Sequence, residues 1–497
     1  MNWKAGVIMM NKKYMNYLIR NRKIALIFFF VIYLAMSLTP YIHGFAGERN
    51  GLFNHSLMIA TVMSVLLCFA LPVLQFAYIQ RKKSADLFLA LPVSRKEQLH
   101  TNLLFCFLTV FGYFLVTTLL IFILTGVTDF GGYLCAIGHN ALLFAVLILI
   151  NALFFLVANN TFDGIVMIAA YAILPSFLYL AYLFFMTNTV AGYTDVRAYN
   201  SGIMMTSPLY MGFRNLSGLL YDSELAFHWT YEILLAVYGA LAYTGLQYHF
   251  VKRKAERAEQ ISNEFFAYPF IIHIYMACVM IFLMERNGFR DVLVFYILLF
   301  VIYIIATFVY KRKIQLDWKN VLIYAGAMAL SILLSNAAWS TKGFGLALRN
   351  PVRTSDKIYY NYHVSADPKD LSHQYDYDET ENDSVEVVFR LTVPKGKNGE
   401  YKDAMDVLEQ YRLRAVDRFY ADDDKPQGAR FSISNYENSE SEKTAFPYYN
   451  KYYSDALLTE DELTQISRKA DVQVITHDED WNETTISLED YLEMRKS

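Results

Sequence analysis

The sequence predicts a polytopic α-helical membrane protein of about nine transmembrane helices, followed by a C-terminal α+β extracytoplasmic domain. Three observations carry this reading. The 497 residues are 55% hydrophobic and 18% charged, against about 45–50% and about 25% in ordinary soluble domains, which argues against a purely soluble enzyme. Nine stretches meet or approach the roughly 20 apolar residues needed to cross a hydrocarbon core about 30 Å thick. Finally, the net charge of −3 conceals a division: residues 1–339 hold 24 Lys+Arg against 15 Asp+Glu, and residues 340–497 hold 20 against 32. Such an asymmetry sets two parts of one chain in different surroundings.

Residues 1–23 form a basic amphipathic N-terminal segment. The apolar run behind it is too long for the core of a signal peptide and no small-residue cleavage site follows, so it reads as a retained first span. The nine spans are assigned to 24–43, 57–79, 102–125, 139–160, 164–186, 229–248, 266–284, 292–310 and 321–339. With the N-terminus inside, the inner segments 1–23, 80–101, 249–265 and 311–320 carry 6, 5, 4 and 4 Lys+Arg, and the outer loops carry 1, 0, 2 and 2. That positive-inside bias sets the orientation. The ninth stretch is diluted by Ser331, Ser335 and Asn336, but the cations Lys311, Arg312 and Lys313 before it, Trp339 at its end and the acidic tail beyond favour spanning. Spanning puts the tail outside; a surface-lying or re-entrant segment leaves it inside. The long outer loop 187–228 contains the apolar patches GIMM and PLYMGF, which suggest a segment that dips back against the membrane.

The region 251–339 supplies the last three spans, and 340–497 reads as an acidic α+β domain, long enough for its own core. Val385, Val387, Phe389, Leu391 and Val393 fall on one face, with Glu386, Arg390 and Thr392 among those on the other, the period of a half-buried strand. Turn chemistry follows at Pro394–Gly399, then Ala404, Val407, Leu408, Tyr411 and Ala415 recur at helical spacing. A strand is expected near Phe431 and Ile433. Thr459 with Glu462 marks a capped helix running to about Lys469, and Val472 and Val474 suggest a further strand. The four cysteines all lie in or beside apolar stretches, so no disulfide or CxxC framework arises in the tail and the compartment stays open on that ground.

No catalytic constellation emerges: the P-loop, G-x-S-x-G and H-E-x-x-H patterns are absent. His273, inside the seventh span, could be a proton relay, but with no carboxylate near in sequence it reads better as a hydrogen-bonded packing residue. Glu232, near the outer end of span six, is expected to reach the headgroup region. The acidic cluster Asp376, Asp378, Glu379, Glu381, Asp383 lacks the glycine and the final glutamate of a Ca²⁺ loop, so a solvated loop is the better reading and no metal site is assigned. The tyrosines Tyr359, Tyr360, Tyr362, Tyr448, Tyr449, Tyr452 and Tyr453 could line a peptide or glycan surface, but sheet and core packing is the better account.

The informative segment is the inner loop RKKSADLFLALPVSRKEQLHTN. Three cations suited to lipid headgroups open it, and an amphipathic turn follows. Pro92 stops that turn, because a helix interior cannot supply its missing N–H bond. Ser94 with Glu97 then caps a new helix. A helix, a proline break and a second helix on the inner face make a stiff knob for another protein to grip.

This loop resembles that of ABC-2 type permeases, the membrane subunits of bacterial ATP-binding-cassette exporters. Asp86, Leu87, Leu89, Leu91, Pro92, Ser94 and Arg95 carry the match, between spans two and three as in that family. The resemblance covers residues 1 to about 250: the basic N-terminal segment, a six-span core over 24–250, and Ser207-Pro208-Leu209 in the outer loop. It implies a subunit of an exporter in the bacterial cell membrane, paired with a second permease chain, identical or related, above separate ABC ATPase subunits. The knob would contact the ATPase. No cofactor and no nucleic acid would bind this chain, with ATP-Mg held by the partner ATPase. Spans two and five would line the path, kinked at Pro72 and Pro175, and their apolar, aromatic character suits an amphiphilic or peptide-like cargo. Residues 250–497 depart from six-span members, and chains of this longer layout resemble permeases linked to peptide-antibiotic stress. The rival from another class is a membrane-anchored receptor or sensor whose outer domain binds a ligand or envelope component without transport.

Overall fold

The computed structural model describes residues 11–43, 49–127, 129–194, 203–221, 227–262, 266–283, 289–314, 317–366, 385–421, 429–435, 448–454, 458–477 and 483–490. Each of the nine predicted stretches falls on a helix: α1 (Lys12–Ser37, extended by the short α2, Thr39–His43), α3 (Arg49–Phe76), α5 (Arg95–Thr125), α6 (Phe130–Val157), α7 (Thr161–Thr189), α9 (Trp229–Lys252), α10 (Tyr268–Phe282), α11 (Phe289–Lys311) and α12 (Trp318–Ser340). Among the described residues, six helices are long and apolar enough to cross a membrane: 50–80, 95–125, 130–157, 161–189, 293–311 and 318–340. The other three fall short for separate reasons. α1 carries Arg20, Arg22 and Lys23 midway, α9 is diluted by glycines, tyrosines and Gln247, and α10 has only 15 residues. Lys12, Lys13, Arg20, Arg22 and Lys23 of the predicted N-terminal segment thus lie on the same continuous helix as the first apolar stretch.

The chain divides into two compact units. The first comprises 1–179, 199–276 and 303–316. Here α3, α5, α6 and α9 pack together, with α1 against α3 and α5. The core is apolar, with Val110, Phe114, Phe144, Leu147, Phe155 and Leu235 all buried. Polar side chains inside it answer particular backbone needs. α3 runs through Pro72, whose missing N–H leaves the carbonyl four residues back without its helical donor. Asn151 Nδ2 of α6 donates to that Cys68 carbonyl at 3.0 Å. Pro175 likewise sits inside the continuous helix α7.

The second unit comprises 180–198, 277–302 and 317–497. It holds a six-stranded antiparallel sheet, β1 (Ile358–Ala366), β2 (Val385–Val393), β3 (Ala429–Ser434), β4 (Tyr449–Ser454), β5 (Asp471–His477) and β6 (Glu483–Ile486), in the order β4-β3-β1-β2-β5-β6. Val387, Phe389, Leu391 and Val393 of β2 are buried, as the alternation requires. They share a core with Leu408, Tyr411 and Ala415 of α13 (Lys402–Ala421) and Leu463 and Ile466 of α14 (Glu460–Ser467). Thr459 Oγ1 accepts from Glu462 N while the Glu462 carboxylate accepts from Thr459 N, the predicted capping box. The tyrosines divide: Tyr360, Tyr362 and Tyr452 enter the core, and Tyr453 is 45% exposed.

Two helix ends are built into this domain. Val190 and Ala191, just past α7, are buried in its core. Tyr420 Oη donates to Thr189 O (2.7 Å) and accepts from Ala191 N (3.3 Å), while Lys451 N of β4 donates to Gly192 O (3.0 Å). Gly192 has φ +76°, and a Cβ there would collide with the Tyr452 ring, so only glycine fits. Beyond α12, the fully buried Arg412 donates to Ala347 O (2.7 Å) and Leu348 O (3.2 Å) and grips Glu409 through two nitrogens (2.8 and 2.7 Å).

Candidate functional site

The predicted knob takes shape as α4 (Lys82–Leu89), a turn over 90–94, and the start of α5 at Arg95. Ser94 adopts extended backbone; its Oγ accepts from Glu97 N (3.2 Å) and its N–H donates to Glu97 Oε2 (3.2 Å). This reciprocal cap satisfies two donors that a bare helix start would leave open. Pro92 sits in the turn, where its missing N–H costs nothing. Asp86, Leu87, Pro92 and Ser94 are exposed, Leu87 at 67%. Their neighbours are not. Ala85 is buried, and Phe88 and Leu91 pack against Tyr14, Met15 and Leu18 of α1 and Phe105 of α5. The side chain of Leu89 lies outside the described residues.

Arg95 turns into the protein. Its Nη1 donates to Val251 O (3.0 Å) and Arg253 O (2.5 Å) at the C-terminal end of α9, where the helix dipole favours a cation. Beside it, the buried Arg253 donates to Leu156 O (2.5 Å) in the last turn of α6 and to Ala158 O (3.2 Å) and Asn159 Oδ1 (3.1 Å) just after it. Glu259 has φ 63°, a conformation that costs an L-residue roughly 1–2 kcal/mol. Two bonds hold it there: its N–H donates to Asn159 O (2.8 Å), and its Oε1 accepts from Lys82 N (3.4 Å) at the start of α4. Residues 251–259 therefore buttress the knob, a role hidden in sequence because only backbone carbonyls and one turn residue supply it.

Ser207, Pro208 and Leu209 open a helix, α8 (Pro208–Leu220): the Ser207 hydroxyl accepts from Tyr210 N (3.3 Å) and Pro208 takes the first helical position, where its locked φ suits. Leu209 is half-buried against the core. Gly212 lies so close to α6 that a Cβ would meet Leu143 at 2.5 Å. Glu232, near the start of α9, is held by partners from two other helices. Its side chain is 12% exposed, and its Oε1 meets His139 Nδ1 at 2.5 Å and Asn215 Nδ2 at 2.9 Å. His139 Nε2 lies 2.9 Å from Gly212 O, and Asn215 also exchanges bonds with the backbone of His228. Both ring nitrogens of His139 thus have partners, and the cluster pins α8 to α6 and α9. These partners are 93 residues apart in sequence, beyond any local signal.

His273 is held by the Pro269 carbonyl and by Tyr303 Oη (3.1 Å), as a packing histidine would be. The acidic cluster 376–383 lies outside the described residues. No family model, no curated protein and no solved structure matches the chain.

Proposed function

We propose that the chain is the permease subunit of an ABC exporter that moves an amphiphilic or peptide-like substrate outward by alternating access, driven by separate ATPase subunits. The observation that carries this reading is the knob: a capped helix–proline–helix whose exposed edge, Asp86, Leu87 and Pro92, projects while its inner side is fastened to α1, α5 and the end of α9. Such an element receives a push without absorbing it. ATP binding by the partner closes the ATPase pair, and the knob passes that movement to α3 and α5, so that an inward cavity closes as an outward one opens. The chain contributes differential contacts to the two states.

Nine spans with the tail outside agree with the packing of the sheet domain. Its core incorporates the end of α7 as well as the segment beyond α12, so both helix ends belong on one side of the bilayer. Among the described residues, the predicted spans between them are α9 to α12, and if all four cross, they return the chain to the side it left. The cations of the predicted inner segments favour that side as the outer one.

The test is whether a cassette ATPase copurifies with the chain and is stimulated by it in proteoliposomes. Pro92→Ala, Arg95→Ala and Leu91→Ala are expected to abolish stimulation while membrane insertion persists; unchanged stimulation in all three contradicts the reading. Purification with a histidine kinase and no ATPase would support the sensor instead.

A further inference from the structure

We infer that the hollow between α1, the end of α3 and α4 binds the phosphate-bearing headgroup of an anionic phospholipid, which wedges the base of the knob. The cavity measures about 260 Å³. Its wall contains Gln75, which is 2% exposed and whose amide nitrogen and oxygen meet no hydrogen-bond partner among the described residues. A buried amide with both ends unanswered costs stability, so the site asks for a ligand with a donor and an acceptor. Arg22 and Arg81 flank it. Arg22 Nη2 donates to Leu74 O (3.0 Å), fixing one guanidinium on the wall, and Arg81 is exposed at the start of α4. Two cations beside an uncharged amide suit a phosphate ester carrying hydroxyls.

The apolar part of the ligand has a place as well. A second hollow shares Asn21 and Arg22 with the first and is lined by Arg20, Lys23, Ile24 and Phe28. From there Ile24, Ile27, Phe28 and Val31 of α1 run outward, all more than half exposed. Cations giving way to an exposed apolar stripe along one helix mark the headgroup boundary of a bilayer. A free phosphate compound would use the cations and the amide but not this stripe. Ser84 and Phe88 of α4 complete the cavity wall, so an occupant touches the knob directly. The inference rests on the reading of the chain as a membrane protein with α1 at the inner surface; no ATPase enters its test, so its failure and that of the exporter reading are separable.

The experiment is native mass spectrometry of the full chain in neutral detergent, titrated with phosphatidylglycerol, phosphatidylcholine of the same acyl chains, or glycerol 3-phosphate. One phosphatidylglycerol is expected to be retained preferentially. Arg22→Ala with Arg81→Ala weakens its retention about thirtyfold, each cation near an anionic headgroup being worth about fivefold. Gln75→Leu removes no charge; it is expected to weaken retention while raising the thermal stability of the lipid-free chain, because the unanswered amide is gone. Equal retention of the two lipids, indifference to these variants, or binding of glycerol 3-phosphate as tight as the lipid would each overturn the proposal.

Discussion

Replacing Arg95 by alanine removes two charge-assisted hydrogen bonds, to Val251 O and Arg253 O, at the C-terminal end of α9. Bonds of this type contribute about 1.5–3 kcal/mol each when buried. Arg95 is only half-buried, so solvent reduces each to about 1 kcal/mol, and the lost interaction with the helix terminus adds about 0.5 kcal/mol. The sum, about 2–2.5 kcal/mol, corresponds to a roughly 30–60-fold rise in local opening where every 1.4 kcal/mol is tenfold. Hydrogen exchange at the amides of Glu97, Gln98 and Leu99 in the detergent-solubilised chain reads this directly. Protection should fall by that factor in Arg95→Ala and recover only in part in Arg95→Lys, which keeps the charge but loses the planar fork. Unchanged exchange would refute the brace. Faster exchange with undiminished ATPase stimulation would refute its part in coupling.

Three further outcomes follow from the packing. Asn151→Leu is expected to cost about 1–3 kcal/mol, the usual consequence of a buried carbonyl left without a donor. In a Pro72→Ala background the restored N–H takes over Cys68 O, so the loss should shrink by about 1 kcal/mol in a double-mutant cycle of thermal unfolding, whereas strict additivity contradicts the account. Arg412→Met breaks a buried ion pair and two carbonyl contacts; because the Glu409 side chain is 27% exposed, the expected cost is about 3 kcal/mol, the lower end for such pairs. At about 2–4 °C per kcal/mol, the domain transition in the intact chain should fall by about 6–12 °C, and a shift under about 2 °C contradicts the assignment. Burial pushes the Glu462 carboxyl up, but hydrogen bonds from Arg414 and Thr459 outweigh it and hold the group below the usual carboxylate range. Its stabilising contribution is therefore complete above about pH 4.3, the unfolded value, and is lost as pH falls through the lower folded value. Glu462→Gln should flatten the melting temperature between pH 5 and 3.

How far the chain could be read in advance depended on how local each signal was. β2 was legible to its last residue because five apolar positions alternate without interruption. Both capping boxes were legible because a hydroxyl and a glutamate three residues on suffice to define them. β1 and β4 were not anticipated as strands: Tyr359-Tyr360 and Tyr452-Tyr453 place two aromatic side chains in succession, so the period of two is blurred. α8 was visible only as apolar patches, although Ser207-Pro208 is a cap followed by a first-turn proline. The knob's outline came from its own fifteen residues, while its buttress at 251–259 did not, since Arg95 finds backbone carbonyls 156 and 158 residues away. A separation of 93 residues likewise concealed the His139–Glu232 pair.

The claim on which the rest depends is that the exposed edge of the knob meets an ATPase. A photo-cross-linking residue at position 87, where the leucine is 67% exposed, tests it in intact cells. The account predicts a covalent adduct with a nucleotide-binding cassette ATPase, changed in yield when ATP hydrolysis is blocked. Efficient cross-linking to lipid or to a histidine kinase, with no ATPase adduct, would contradict it.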